Sequence, residues 1–139
     1  MAAKSISSIV SFSLLVLFSA ICVFHFLALF QVIPFDILWG GRLKSKEEMW
    51  VFESISILVN FLMLGVVLIY RGAIQIGISK KSLRFSLWAM AVLFFINTIG
   101  NLFAISKWEK IIFTPMTFLL SLFCFSLAYW FKPEFQKNK

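Results

Sequence analysis

Charged residues are scarce in this chain of 139 residues, in which 14% are Asp, Glu, Lys or Arg and 61% are hydrophobic. A soluble domain carries roughly 25% charged residues. A chain of this size cannot bury so much apolar surface, including 18 phenylalanines, in a single core. The composition therefore excludes a water-soluble globule. It predicts an integral membrane protein whose partners include the membrane lipids around it.

Histidine and cysteine are also rare, with one His and two Cys. Structural zinc sites need four such ligands, and thiol-redox enzymes need neighbouring cysteines. Cys22 and Cys124 fall at different depths of two predicted helices, so no disulfide is expected between them. The phosphate-loop, serine-hydrolase and zincin motifs are missing as well. We therefore predict no metal, no cofactor and no standard catalytic site.

Long uncharged runs divide the chain into four segments of 31, 17, 22 and 21 residues. A membrane-spanning helix needs about 20 mostly apolar residues. The second run reaches that length if its helix starts near Glu47, which places Glu53 inside the span. An all-α fold follows, a four-helix transmembrane bundle with up-down-up-down topology and one domain over residues 1–139. The helices are predicted near 7–33, 47–70, 85–105 and 111–131.

Basic residues set the predicted orientation in the membrane. With a cytoplasmic amino terminus, eight Lys and Arg lie on the cytoplasmic side and five on the outer side. Cytoplasmic loops carry the excess of Lys and Arg in membrane proteins. We expect a multi-pass protein of the inner (plasma) membrane with both termini cytoplasmic. The net charge of +7 is explained by these topology signals, and no nucleic-acid partner is predicted.

Polar residues of all four predicted helices fall in the outer half of the bundle. At a rise of about 1.5 Å per residue they form a layer on the order of 10 Å thick. Such residues are costly inside a membrane and mark either a functional site or helix pairing. For Asn60, Thr117, Ser121 and Cys124 pairing is the favoured interpretation. The predicted ligand-binding residues of this layer and of the loop above it are His25, Asp36, Arg42, Glu53, Asn60, Asn97, Asn101 and Thr114.

Glu53 is the most informative of these residues, because it is the only acid displaced from a loop into an apolar helix. A carboxylate there costs up to a few kcal/mol unless it is paired, protonated or hydrated. The sequence leaves two alternatives equally open: a structural ion pair with Arg42 or His25, or a functional proton or cation site. A lone histidine such as His25 is more often a hydrogen-bonded core residue than a ligand.

The connection over residues 34–43 does not have the composition of an ordinary loop. Pro34 is expected to end or kink the first helix, and Gly40–Gly41 permits a sharp turn. Leu38 and Trp39 are too apolar for a solvated loop, and Trp39 is assigned to the outer aromatic belt. We expect a re-entrant or interfacial cap over the polar layer. The diglycine itself is more often a simple turn than an anion site.

Several short motifs follow one another in a characteristic order. They are His25, Trp39-Gly40-Gly41-Arg42, Leu87-Trp88-Ala89-Met90, Phe94-Phe95, Asn97-Thr98-Ile99-Gly100-Asn101 and Thr114-Pro115. This succession resembles an uncharacterised family of small four-helix bacterial integral membrane proteins. The resemblance implies the four-helix architecture and a bacterial source, and it transfers no activity or catalytic residue.

The sequence favours a non-enzymatic membrane protein whose outer-half polar pocket binds or passes a small molecule or lipid. One alternative is a membrane-embedded enzyme acting on a lipid or apolar substrate, with Glu53 and His25 as general acid and base. A structural or accessory subunit of a membrane complex is another. Assembly into a homo-oligomer is left open.

Overall fold

Four long helices account for most of the chain. The computed structural model describes residues 2–35, 38–131 and 133, and over these ranges it contains helices and no strand. The predicted all-α, four-helix fold is thus confirmed. The helices are α1 (Ala2–Leu29), α2 (Lys46–Tyr70), α3 (Lys80–Leu102) and α4 (Thr114–Tyr129), with a 3-10 turn at Trp39–Gly41 and a π-helical turn at Glu109–Phe113.

All four helices are long and apolar enough to cross a membrane. Their outward faces are hydrocarbon: Leu62 on α2 and Ile96 on α3 are each at least 60% exposed. Exposing such faces to water would cost free energy, whereas contact with lipid chains does not. The protein is therefore a membrane-spanning helical bundle, and its orientation in the membrane stays a prediction.

The helix boundaries follow capping residues rather than the ends of the uncharged runs. Ser45 and Ser79 accept hydrogen bonds from the backbone N–H groups of Glu48 and Ser82, so α2 and α3 start at these caps. The lysines after Ser79 extend α3 five residues upstream of the predicted start at residue 85, because lysine is a good helix former.

The first helix ends at Leu29, four residues before the predicted end at residue 33. Gln31 adopts a left-handed conformation with φ 60°, and the Val32 N–H donates to the Leu27 carbonyl at 2.9 Å. This hydrogen bond runs from the N–H of the sixth residue to the carbonyl of the first, which is the pattern of a Schellman motif at a helix end. Pro34 therefore follows a helix that has already ended, and does not itself end it.

The helices pack as two tight pairs. α1 lies against α2, and α3 lies against α4, as expected from their short connection. α1 also contacts α4, and α2 contacts α3 more sparsely. The junction between α2 and α3, here called the seam, is therefore the loosest of these four junctions.

The two ends of the bundle differ in packing. The terminal end, where α1 and α3 begin and α2 and α4 end, is filled by the main hydrophobic core, with Phe18, Val67 and Leu87 fully buried. There Arg71 ties α2 to α1, its guanidinium donating to the Ser11 hydroxyl at 2.8 Å. The opposite end, here called the site end, holds a cavity.

Candidate functional site

A cavity of about 520 Å³ occupies the site end and is walled by all four helices and the 3-10 turn. The structure brings six of the eight predicted ligand-binding residues to its wall, although their binding of a ligand stays a prediction. Thr114 does not line the cavity, and Asp36 lies outside the described residues. The six lining residues are His25, Arg42, Glu53, Asn60, Asn97 and Asn101.

Glu53 lies in the wall of the cavity and is 1% exposed. Its Oε2 lies 2.6 Å from Nδ1 of His25, on the last turn of α1. Its Oε1 accepts a hydrogen bond of 2.9 Å from the indole Nε1–H of Trp39. Of the two predicted ion-pair partners, the structure therefore selects His25. Arg42 instead donates to the backbone carbonyl of Phe103 at 3.3 Å.

Trp39 is the site residue that the sequence interpretation missed by assigning it to an aromatic belt. Its φ is 54°, a left-handed conformation that is uncommon for a residue with a side chain. Gly40 and Gly41 follow with φ 75° and 70°, and glycine adopts such values freely. This reversal directs the Trp39 indole N–H at Glu53. A tryptophan directly before the diglycine of a predicted cap was the available signal.

The connection between α1 and α2 covers the cavity at the site end. Leu38 is buried against Ala28 and Met49, which anchors the connection to both helices. The Gly40 carbonyl accepts a hydrogen bond of 3.1 Å from the Ile105 N–H, in the connection between α3 and α4. We call residues 38–42 the cap. The described part of this connection therefore joins the first helix pair to the second, as a simple turn would not.

Asn60 gives the cavity an unused hydrogen-bond acceptor. Its side chain is 8% exposed, and its Nδ2 donates to the Ser56 carbonyl at 2.9 Å. Its Oδ1 is buried without a partner among the described residues. A carbonyl oxygen can only accept, so Ser56 fixes the amide with its NH2 toward the helix. The Asn60 Oδ1 is therefore an unsatisfied acceptor buried in the wall of the cavity.

Thr117, which the sequence assigned to helix pairing, lines the cavity and also pairs helices. Its hydroxyl donates to the Phe113 carbonyl at 2.7 Å and accepts from Asn101 Nδ2 at 3.3 Å. Thr114 lies three residues earlier on α4, which turns it about 60° away from Thr117 around the helix axis. Leu120 lies about 60° from Thr117 in the opposite direction and does line the cavity, so Thr114 falls on the side of α4 that is turned away from it.

A second cavity of about 460 Å³ lies between α1 and α4 and is almost entirely apolar. It shares Phe24 and Phe113 with the wall of the polar cavity, and these two rings meet edge to face with centroids 5.0 Å apart. The aromatic pair thus forms part of the partition between the two cavities.

The polar cavity offers hydrogen-bonding groups rather than a metal site. Over the described ranges, no three His, Cys, Asp or Glu side chains come together. Glu53 uses both oxygens on His25 and Trp39. Within the same ranges His25 Nε2 has no bonded partner, so it remains available to a molecule in the cavity. The site is built to hold a molecule by a few directed hydrogen bonds.

Comparison of the chain with protein-family models, with curated proteins and with solved structures finds no match. The resemblance to a family of small bacterial membrane proteins therefore stays a prediction. The fold and the cavity define the class, which is a four-helix membrane-spanning bundle with a partly open polar cavity at one end.

Proposed function

We propose that this membrane protein binds or passes a small molecule or a lipid in the polar cavity at its site end, without catalysing a reaction. In the proposed orientation both termini are cytoplasmic and the cavity lies in the outer half of the inner (plasma) membrane. The observation that carries the proposal is the Asn60 Oδ1, which lacks a partner at the wall of a cavity that also holds the His25–Glu53 pair.

A purely structural role explains these groups less well. Polar side chains that only join helices satisfy one another, and buried polar atoms are hydrogen-bonded in the large majority of cases. Here Asn60 and Thr114 each keep a buried polar atom without a partner among the described residues. Asn60 is the one that lines the cavity, whose volume is about 520 Å³. Ligand pockets in proteins are commonly about 300–1,000 Å³. Space and an unused acceptor together favour a bound molecule.

A membrane-embedded enzyme is the second candidate, and one contact favours it. His25 holds Nδ1 against the Glu53 carboxylate at 2.6 Å, which is how a carboxylate orients an imidazole that acts as a general base through its other nitrogen. The Ser56 side chain also lines the cavity. Turnover of a copurifying lipid that is lost in His25→Gln would establish this alternative.

The test of the proposed function compares wild type with Glu53→Gln, because the amide cannot reproduce both hydrogen bonds. Trp39 only donates, so the glutamine oxygen must face Trp39 and its NH2 must face His25. The hydrogen bond to His25 is then reversed and the carboxylate charge is lost. The exposed acid Glu47 on the same helix supplies the matched control, Glu47→Gln.

Each variant is extracted in mild detergent, and its copurifying lipids and small molecules are identified by mass spectrometry. We expect at least one species to be retained by wild type and Glu47→Gln and to be depleted in folded Glu53→Gln. Identical species in identical amounts would contradict the proposal and would favour a structural or accessory subunit.

A further inference from the structure

The polar cavity reaches the surface of the bundle along the seam, at the level of the hydrocarbon. Ile55 on α2 and Ile96 on α3 both line the cavity and are 52% and 60% exposed. They lie about 9–14 Å from the site-end termini of their helices, well inside a hydrocarbon layer about 30 Å thick. An opening at this depth faces lipid chains, and its edges combine the apolar Ile55 and Ile96 with Asn97, which is exposed and also lines the cavity.

The cap covers the part of the seam that would face water. Arg42 donates to the Phe103 carbonyl at 3.3 Å, and the Gly40 carbonyl accepts from Ile105 at 3.1 Å. These two hydrogen bonds join the first connection to the third across the seam. A molecule therefore enters the cavity sideways from the bilayer more readily than through the cap.

The interior of the cavity specifies the polar group of that molecule. Asn60 Oδ1 needs a hydrogen-bond donor, and it lies beyond the middle of α2, where a charged group costs several kcal/mol. The ionisable residues among the described lining residues are His25, Glu53 and Arg42, of which the first two pair with each other. Arg42 lies in the cap, whereas Asn60 lies about four turns into α2. The deep part of the cavity thus favours an uncharged donor, such as a hydroxyl group.

We infer that the cavity binds a neutral, membrane-soluble amphiphile that carries a hydroxyl group and enters between α2 and α3. The hydroxyl donates to Asn60 Oδ1, which is buried in the structure and becomes accessible when the amide rotates toward the cavity. The hydrocarbon part lies against Ile55 and Ile96 at the seam. This inference rests on the proposed function, and it specifies the chemical class of the ligand and its path.

Three defined lipids test the class in detergent by native mass spectrometry. 1-Monooleoylglycerol has hydroxyl donors and no charge, methyl oleate has the same chain without a donor, and dioleoylphosphatidylglycerol has hydroxyls and a charge. We expect wild type to bind monooleoylglycerol about tenfold more tightly than methyl oleate, the ratio expected for one hydrogen bond. Asn60→Leu should reduce this ratio to about one.

The path is tested at the seam with Ile96→Trp, which places a large ring at the opening. The control is Ile99→Trp, because Ile99 is an exposed residue of α3 that does not line the cavity. Both changes are on lipid-facing positions, so both variants should fold. We expect Ile96→Trp to lower monooleoylglycerol binding about tenfold and Ile99→Trp to leave it unchanged.

Different outcomes distinguish the two proposals. Equal binding of methyl oleate, a preference for dioleoylphosphatidylglycerol, or undiminished binding in Ile96→Trp would overturn the inference. If a charged or water-soluble species copurifies and depends on Glu53, the proposed function stands and the inference is wrong. If no species depends on Glu53 and none of the three lipids binds, both are wrong.

Discussion

His25 Nδ1 lies 2.6 Å from Glu53 Oε2, and this contact joins the last turn of α1 to the second turn of α2 at the hollow end of the bundle. The same carboxylate accepts the Trp39 indole N–H through its other oxygen. One buried side chain therefore holds a helix on one side and the cap on the other.

Glu53→Leu should destabilise the protein by about 3 kcal/mol, because it removes the buried carboxylate that pairs with His25 and accepts from the Trp39 indole N–H. Glu53→Gln should cost less, since it still accepts from Trp39. The measurement is thermal and denaturant unfolding in detergent, with Glu47→Gln as the control that stays within about 0.5 kcal/mol of wild type. Equal stability of Glu53→Leu and wild type would show that the pair adds nothing to the fold.

A double-mutant cycle should detect the contact between His25 and Glu53. Since either single change leaves the other partner unpaired, His25→Phe combined with Glu53→Leu should cost less than the sum of the two single changes. The expected coupling free energy is about 1–3 kcal/mol. Strict additivity in the same unfolding assay would mean that the two side chains do not interact in the membrane protein.

Trp39→Phe should destabilise the protein by about 1–3 kcal/mol, because it leaves Glu53 Oε1 buried without its donor. The aromatic ring retained by Phe can still pack on Phe52, whose centroid lies 4.9 Å from that of Trp39. Trp50→Phe is the control, since Trp50 is 47% exposed at the same end of the bundle. Comparable melting temperatures of the two variants would argue against the Trp39–Glu53 hydrogen bond.

Ser121→Leu should be poorly tolerated. The Ser121 hydroxyl donates to the Ala91 carbonyl at 2.8 Å, so α3 and α4 are too close there for a larger side chain. Overpacking of this kind costs about 1–3 kcal/mol. The neighbouring Leu122 is 47% exposed, and Leu122→Phe should leave the melting temperature within about 2 °C of wild type. Equal tolerance at both positions would contradict the observed face of α4.

The orientation is tested by cysteines in the first and second connections. Lys44→Cys should react from outside the cell with a membrane-impermeant maleimide, whereas Gln75→Cys should react only after permeabilisation. Both positions are exposed, and the native Cys22 and Cys124 are buried, so wild type is the unlabelled control. Labelling of Gln75→Cys in intact cells would invert the predicted topology and place the cavity in the cytoplasmic half.

The distribution of uncharged runs along the sequence was enough to predict the four helices. Uncharged runs of about 20 residues must form helices in a bilayer, since no other open structure satisfies the backbone there. The pattern also pointed to the polar layer, because residue depth follows from distance along a helix. His25, Glu53, Asn60, Asn97 and Asn101 meet at one cavity for that reason.

The sequence was less informative about contacts that depend on loop conformation and helix rotation. Nothing in the order of residues distinguishes Arg42 from His25 as the partner of Glu53, because both lie at a suitable depth. The structure decides between them through the left-handed turn at Trp39, which directs one loop side chain inward and leaves Arg42 on the Phe103 carbonyl. Loop backbone reversals of this kind depend on packing against elements distant in sequence.

The sequence alone therefore determined the membrane-spanning class, the number of helices and the depth at which the polar residues lie, all of which follow from hydrophobicity and the fixed rise of a helix. Only the tertiary structure decided which polar groups pair, that the Asn60 Oδ1 is left unsatisfied in the cavity wall, and that α2 and α3 pack loosely along the seam. Those features depend on the relative rotation and spacing of helices, which side-chain packing sets in three dimensions.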